Sequence, residues 1–157
     1  MKEHQNLFRD LQEDFRKMKK NLLVAQSGGP TAAINATLAG VIGQAMKEEQ
    51  IDQVYGACYG IQGVLEQKFV NLTEKVDTEE KLEKLKRTPA AALGSCRFKL
   101  NDIKEDDSQY QEIVDILHKM NIGYFVYIGG NDSMDTVAKL SAYCKDCLLY
   151  TSDAADD

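Results

Sequence analysis

The chain has 157 residues, 43% hydrophobic and 28% charged, enough for one core and too few for two ordinary domains. A net charge of −6 argues against a broad basic surface for nucleic acid. No apolar run approaches the ~18 residues of a membrane span, and the charged opening, Met1 to Phe15, lacks the apolar stretch of a secretory signal.

Residues 3–19 carry Leu7, Phe8, Leu11, Phe15 and Met18 at i, i+3/i+4 spacing, which predicts an amphipathic helix. It is read as an N-terminal extension over residues 1–17. Met18 is an alternative start that would make those residues an upstream over-read, a point that expression from Met18 tests. The run Asn21-Leu-Leu-Val-Ala-Gln26 predicts a buried strand that ends at Ser27-Gly-Gly-Pro30. From Thr31 to Glu49 the residues Ala33, Ile34, Leu38, Val41, Ile42 and Met46 mark the inward face of a helix.

A second strand is predicted over 52–59, followed by Gly60 and Gly63. Residues 74–87 predict a solvated, charged helix with Leu82 and Leu85 turned inward. Residues 101–109 read as loop, and Tyr110 to Met120 as a helix packing through Ile113, Val114, Ile116 and Leu117. Tyr124 to Ile128, β-branched and aromatic, is the strongest strand signal. It ends at Gly129-Gly130, and Ser133 to Tyr143 follows as a helix. Strands alternating with helices predict an α/β fold, a parallel sheet flanked by helices and Rossmann-like in layout.

Four cysteines, Cys58, Cys96, Cys144 and Cys147, are irregularly spaced and suit reduced thiols better than a disulfide framework. A single Cys144-x-x-Cys147 pair is too little for a zinc or redox site, and His4 and His118 form no metal-ligand spacing. The chemistry points instead to the two strand–glycine–helix junctions, Ser27–Thr31 and Gly129–Ser133. In a parallel sheet both would lie at one edge, where glycine admits a ligand to the backbone and helix N–H groups favour an anion. Neither junction has Walker A spacing or a full G-x-G-x-x-G. Taken alone, Arg97 would serve a surface salt bridge, and Asp132 would cap the helix behind it.

Three segments carry a resemblance: Ser27-Gly-Gly-Pro-Thr-Ala-Ala-Ile-Asn35, Thr88-Pro-Ala-Ala-Ala-Leu-Gly-Ser-Cys-Arg-Phe98 and Gly129-Gly-Asn-Asp-Ser-Met-Asp-Thr136. In order and approximate spacing they resemble the phosphofructokinases, nearest the pyrophosphate-dependent branch, over about residues 18–146. The resemblance implies the N-terminal, donor-binding part of that fold. It implies phosphoryl transfer to the 1-hydroxyl of fructose 6-phosphate with Mg²⁺, in a cytoplasmic glycolytic enzyme that is a homo-oligomer at full length. Gly28 and Gly29 would cradle the donor phosphate, Arg97 would grip its oxygens, and Gly129, Gly130, Asn131, Asp132 and Ser133 would hold donor and metal.

Asp132 stands where ATP-using members commonly have glycine, as it does in pyrophosphate users, and a carboxylate there repels the ATP α-phosphate. Asn131 replaces the family's usual aspartate, leaving Asn131 or Asp132 as the Mg²⁺ contact. Two other readings stay open: an ATP-dependent 6-phosphofructokinase, and a non-catalytic nucleotide- or phosphate-binding module. The family's catalytic aspartate belongs to a Thr-Ile-Asp motif that this chain lacks. The chain is therefore expected to be an inactive, truncated fragment. From Cys147 the segment Cys-Leu-Leu-Tyr-Thr-Ser-Asp-Ala-Ala-Asp156 matches the in-frame translation of a sequencing-library transposase adapter. Residues 147–157 are thus expected to be an artefactual tail, and the strand at Tyr124–Ile128 to be left with a bare edge.

Overall fold

The computed structural model describes residues 2–29, 33–144 and 150–152. In chain order the elements are α1 (Lys2–Lys17), β1 (Lys20–Gln26), α2 (Ile34–Lys47), β2 (Ile51–Ala57), α3 (Gly60–Leu65) and β3 (Phe69–Asn71). There follow α4 (Leu72–Lys75), α5 (Glu79–Arg87), α6 (Ser108–Lys119), β4 (Ile122–Ile128), α7 (Asn131–Tyr143) and β5 (Tyr150–Ser152).

The strands form one sheet in the order β3-β2-β1-β4-β5. β1 runs parallel to both β2 and β4, and β4 is parallel to β5. β3 departs from the expected parallel arrangement, pairing antiparallel with β2 at the sheet's edge. β1 takes the centre because Leu22 to Gln26 are all buried, as a strand covered on both faces requires.

Side chains alternate between two cores. Leu23 and Ala25 join Phe125 and Tyr127 under α3, α6 and α7. Leu22 and Val24 join Ile34, Leu38, Ile42 and Ala45 of α2 on the opposite face. The inward face of α2 differs from expectation at Ala33, which is exposed just ahead of the helix, and at Met46. Ala45 is buried and Met46 is 41% exposed, because a 3.6-residue repeat from Leu38 and Ile42 falls on 45.

The helix expected over 74–87 is two helices. Thr78 breaks it, its hydroxyl accepting the Lys81 N–H at the start of α5. Leu82 and Leu85 pack on the α2 core as expected. α6 begins two residues early, at Ser108, whose N–H is held by the Asp106 carboxylate at 3.0 Å. α3 and β3 fall where the sequence predicted no element. α1 presents Leu7 and Phe8, 58% and 64% exposed, on an uncovered face. The expected bare edge of β4 is covered by β5 along Tyr124–Val126. Cys147, and with it the Cys144-x-x-Cys147 spacing, lies outside the described residues, and no helix among the described residues is long and apolar enough to cross a membrane.

The register sets up the site. Gln26 pairs with Ile128 and Ala25 with Ala57, so β1, β2 and β4 all end at the same edge.

Candidate functional site: a cleft between two glycine corners

Beyond Gln26 and Ile128 the chain turns twice at almost the same place. The Ser27 N–H donates to Ile128 O at 2.7 Å, so strand pairing continues into the corner itself. Gly28 then adopts a left-handed φ of +85°, and a Cβ there would stand 3.4 Å from Gly130 N. Glycine is needed at this point for the left-handed conformation, and the 3.4 Å approach shows how near the second corner lies. Gly129 is tighter still. A Cβ would meet Ser27 O at 2.9 Å and Ser133 Cβ at 2.8 Å, so Gly129 packs behind the cleft instead of lining it.

The cleft has a volume of about 400 Å³. Of the candidate site residues, Gly28, Gly29, Arg97, Gly130, Asn131, Asp132 and Ser133 all line it. Space beside Gly29 and Gly130 is open, with no protein atom within 4 Å of a Cβ built on either. α7 opens on Gly130 with no side-chain cap. Its first N–H groups therefore meet the cleft without a side-chain acceptor, which suits an anion. Asp132 is not the expected cap, because α7 starts earlier, at Asn131, and places Asp132 in its first turn. Ser133 is 2% exposed, and its Oγ is the one buried side-chain polar atom among the described residues without a hydrogen-bond partner.

Charge at the mouth is mixed. Arg97 is exposed and forms no ion pair among the described residues, so the salt-bridge reading does not hold for it there. Lys99 Nζ lies 3.8 Å from Asp132 Oδ1, both side chains about four-fifths exposed, a contact that solvent screens heavily. No group of three or more His, Cys, Asp or Glu residues comes together among the described residues. Asn131 and Asp132 offer one amide oxygen and one carboxylate at the lip. That set fits a Mg²⁺ ion that keeps waters and shares phosphate oxygens.

The sequence reading did not single out Tyr127, Cys96, Phe98 and Thr136, which also line the cleft. Tyr127 is buried beneath the corners, where Ile61 N–H donates to its hydroxyl at 3.3 Å. Burial, only partly offset by a hydrogen bond with the Ser27 side chain, pushes its phenol from 10.0 up to about 12. Below pH 10 both folded and unfolded chains carry this proton, and the site's contribution to stability is whole. Between pH 10 and about 12 the unfolded phenol ionises first, so stability falls as pH rises. Denaturant midpoints across this range should show an extra loss in the wild type that Tyr127→Phe removes. Superimposable curves would contradict the assignment.

The comparisons with known proteins cover the same stretch of chain. The sequence profile of the family described as "Phosphofructokinase" matches residues 21–151. The pyrophosphate–fructose 6-phosphate 1-phosphotransferase of Rhodospirillum rubrum is 44% identical over 123 residues, 78% of this chain and 29% of that protein. The ATP-dependent 6-phosphofructokinase 3 of Bacteroides thetaiotaomicron is 30% identical over 122 residues, 76% of this chain and 34% of that protein. Among solved structures, the pyrophosphate-dependent phosphofructokinase of Nitrosospira multiformis superposes with a TM-score of 0.74 at 36% identity, covering 87% of this chain and 33% of that one. The chain thus spans about a third of the length of the relatives it matches. Profile, sequence relatives and backbone superposition agree over one continuous stretch, and on that agreement the chain belongs to the phosphofructokinase family.

Proposed function

We propose that this chain builds the phosphate-donor side of a pyrophosphate-dependent 6-phosphofructokinase. The enzyme would move a phosphoryl group from pyrophosphate to the 1-hydroxyl of fructose 6-phosphate, giving fructose 1,6-bisphosphate. The observation that carries this reading is the meeting of the two glycine corners, with a Cβ on Gly28 only 3.4 Å from Gly130 N. Backbone N–H groups from both corners can then bind one short phosphate chain.

In this reading the N–H groups of Gly28 and Gly29 and the first turn of α7 hold the donor. Ser133 Oγ, unpartnered among the described residues, would donate to a phosphate oxygen by turning from Gly129 into the cleft. The Arg97 fork would bind terminal oxygens, and Asn131 or Asp132 would hold Mg²⁺, which when bound would neutralise developing phosphate charge. Four relatives named for pyrophosphate are 39–44% identical and a fifth, of Entamoeba histolytica, 28%, against 28–30% for the two named for ATP; the four more similar relatives support pyrophosphate over ATP. The chain holds no Thr-Ile-Asp segment, so the catalytic base and the sugar-phosphate grip are assigned to parts of the enzyme outside it. The whole enzyme is proposed to be a cytoplasmic homo-oligomer.

Calorimetry of the 157-residue chain with Mg²⁺ and pyrophosphate, ATP or NAD tests the donor site. Pyrophosphate should bind, and the two nucleotides should bind far more weakly. Preference for ATP would favour the ATP-dependent enzyme, and preference for NAD a binding module. Asp132→Gly should weaken pyrophosphate binding through loss of the carboxylate proposed to contact Mg²⁺, and improve ATP binding on the order of tenfold through relief of a solvent-screened repulsion of the α-phosphate. If neither ligand responds, Asp132 does not select the donor.

A further inference from the structure

The segment that carries Arg97 has no regular secondary structure between Thr88 and Leu100. It crosses the sheet's C-terminal edge, burying Leu93 in the core under α2 and Leu100 in the core on the other face. Arg97 lies between these two anchors. A loop spanning two cores can slip unless its backbone polar groups are fixed.

Two fully buried amides fix them. Gln26, the last residue of β1, and Asn35, in the first turn of α2, are both 0% exposed. Gln26 Nε2 donates to Ile34 O at 3.3 Å and to Asn35 Oδ1 at 3.1 Å, while its Oε1 accepts the Leu93 N–H at 2.9 Å. Asn35 Nδ2 donates to Thr88 O at 2.7 Å and to Ala90 O, and its Oδ1 accepts the Ala92 N–H at 2.9 Å. Each donor and each acceptor oxygen of both amides is engaged. The network also holds Ala90 at a left-handed φ of +64°, a conformation a non-glycine residue resists. Further along, Ser27 Oγ donates to Cys96 O at 3.1 Å, one residue before Arg97.

We infer that Asn35, acting with Gln26, is a positioning residue for Arg97: it sets the register of the 88–97 loop relative to β1 and so the place of the guanidinium at the donor cleft. The inference rests on the donor-site reading above and extends it to two residues that touch no ligand. A slip by one residue would aim the Ala90 carbonyl and the Ala92 N–H away from the amides that hold them, so the register is specified by hydrogen bonds and not by packing alone.

The test is a double-mutant cycle on the 157-residue chain, read as affinity for pyrophosphate with Mg²⁺ by calorimetry. With Arg97 present, Asn35→Ala should weaken binding about tenfold. In an Arg97→Ala background the same change should weaken it less than about twofold. Equal losses in both backgrounds would mean that Asn35 acts through general stability, and would overturn the inference. Should Asn35→Ala fail to fold, Asn35→Ser takes its place in the cycle. Hydrogen exchange on the unaltered chain is an independent arm: the Ala92 and Leu93 amides should be protected like those of β1, and rapid exchange there would also overturn it. If the unaltered chain binds no pyrophosphate, the donor-site reading fails instead, and the exchange measurement alone judges the clamp.

Discussion

Replacing Gly129 with alanine is expected to lower stability by about 2–3 kcal/mol, the scale of overpacking a close-fitted site, and to remove measurable pyrophosphate binding. The added methyl would sit 2.9 Å from Ser27 O and 2.8 Å from Ser133 Cβ and would collide with Ser133 Oγ. Ser27 O is backbone at the end of β1, so it yields only if the strand end moves. The first turn of α7 must then shift outward, carrying Asn131, Asp132 and Ser133 with it. Gly130→Ala separates fold from site. Nothing lies within 4 Å of a Cβ at Gly130, so that variant should keep its stability within about 0.5 kcal/mol. Its methyl enters the cleft, however, and pyrophosphate binding should still fall. Denaturant midpoints with calorimetry on both variants decide the matter. A stable Gly129→Ala that binds normally would show that the two corners are not as tightly joined as the geometry requires.

Gln26→Met is expected to destabilise the chain by about 2–3 kcal/mol, although the two side chains are close in volume. The loss comes from the Leu93 N–H, a buried donor left without its acceptor, and from Asn35 Oδ1, a buried acceptor left with the Ala92 N–H alone. Water cannot take its place at a site where both side chains have no exposed surface. Gln44→Met is the control. Gln44 is exposed and its side chain bonds Glu48, just past the end of α2, at 2.8 Å, so its replacement should change stability by less than about 0.5 kcal/mol. Equal midpoints for the two variants would mean that the buried amide bridge contributes nothing net.

Several features of the site were readable before any coordinates. Gly28, Gly29, Arg97 and the Gly130–Ser133 turn carry their identity in local sequence, because glycines after an apolar run and an arginine in a recurring segment are visible in one dimension. Tyr127 was not readable as a site residue. On β4 it looks like any apolar-face strand residue, and only the placement of Ile61 and Ser27 beside its hydroxyl gives it a role. Gln26 and Asn35 stood at the ends of recognisable segments, but a buried amide has no periodic signature, and its partners at Thr88, Ala90, Ala92 and Leu93 are remote in sequence.

The same distinction runs through the fold. Continuous apolar runs set β1 and β4, and helical periodicity set the buried faces of α2 and α6, because these are local consequences of side-chain repeat. α3 and β3 escaped because they are short and take their conformation from surroundings: α3 follows the left-handed Tyr59, opens on the left-handed Gly60 and sinks Ile61 and Val64 into the core. By itself, then, the sequence determined the main strands and helices (β1, α2, β2, α6, β4 and α7), where the glycine corners fall and which family's motifs they match. Only the tertiary structure decided that β1 and β4 are neighbours, pairing Gln26 with Ile128, and hence that the corners share one cleft. Strand adjacency is fixed by hydrogen bonds and packing between segments far apart along the chain, and no local pattern of residues encodes it.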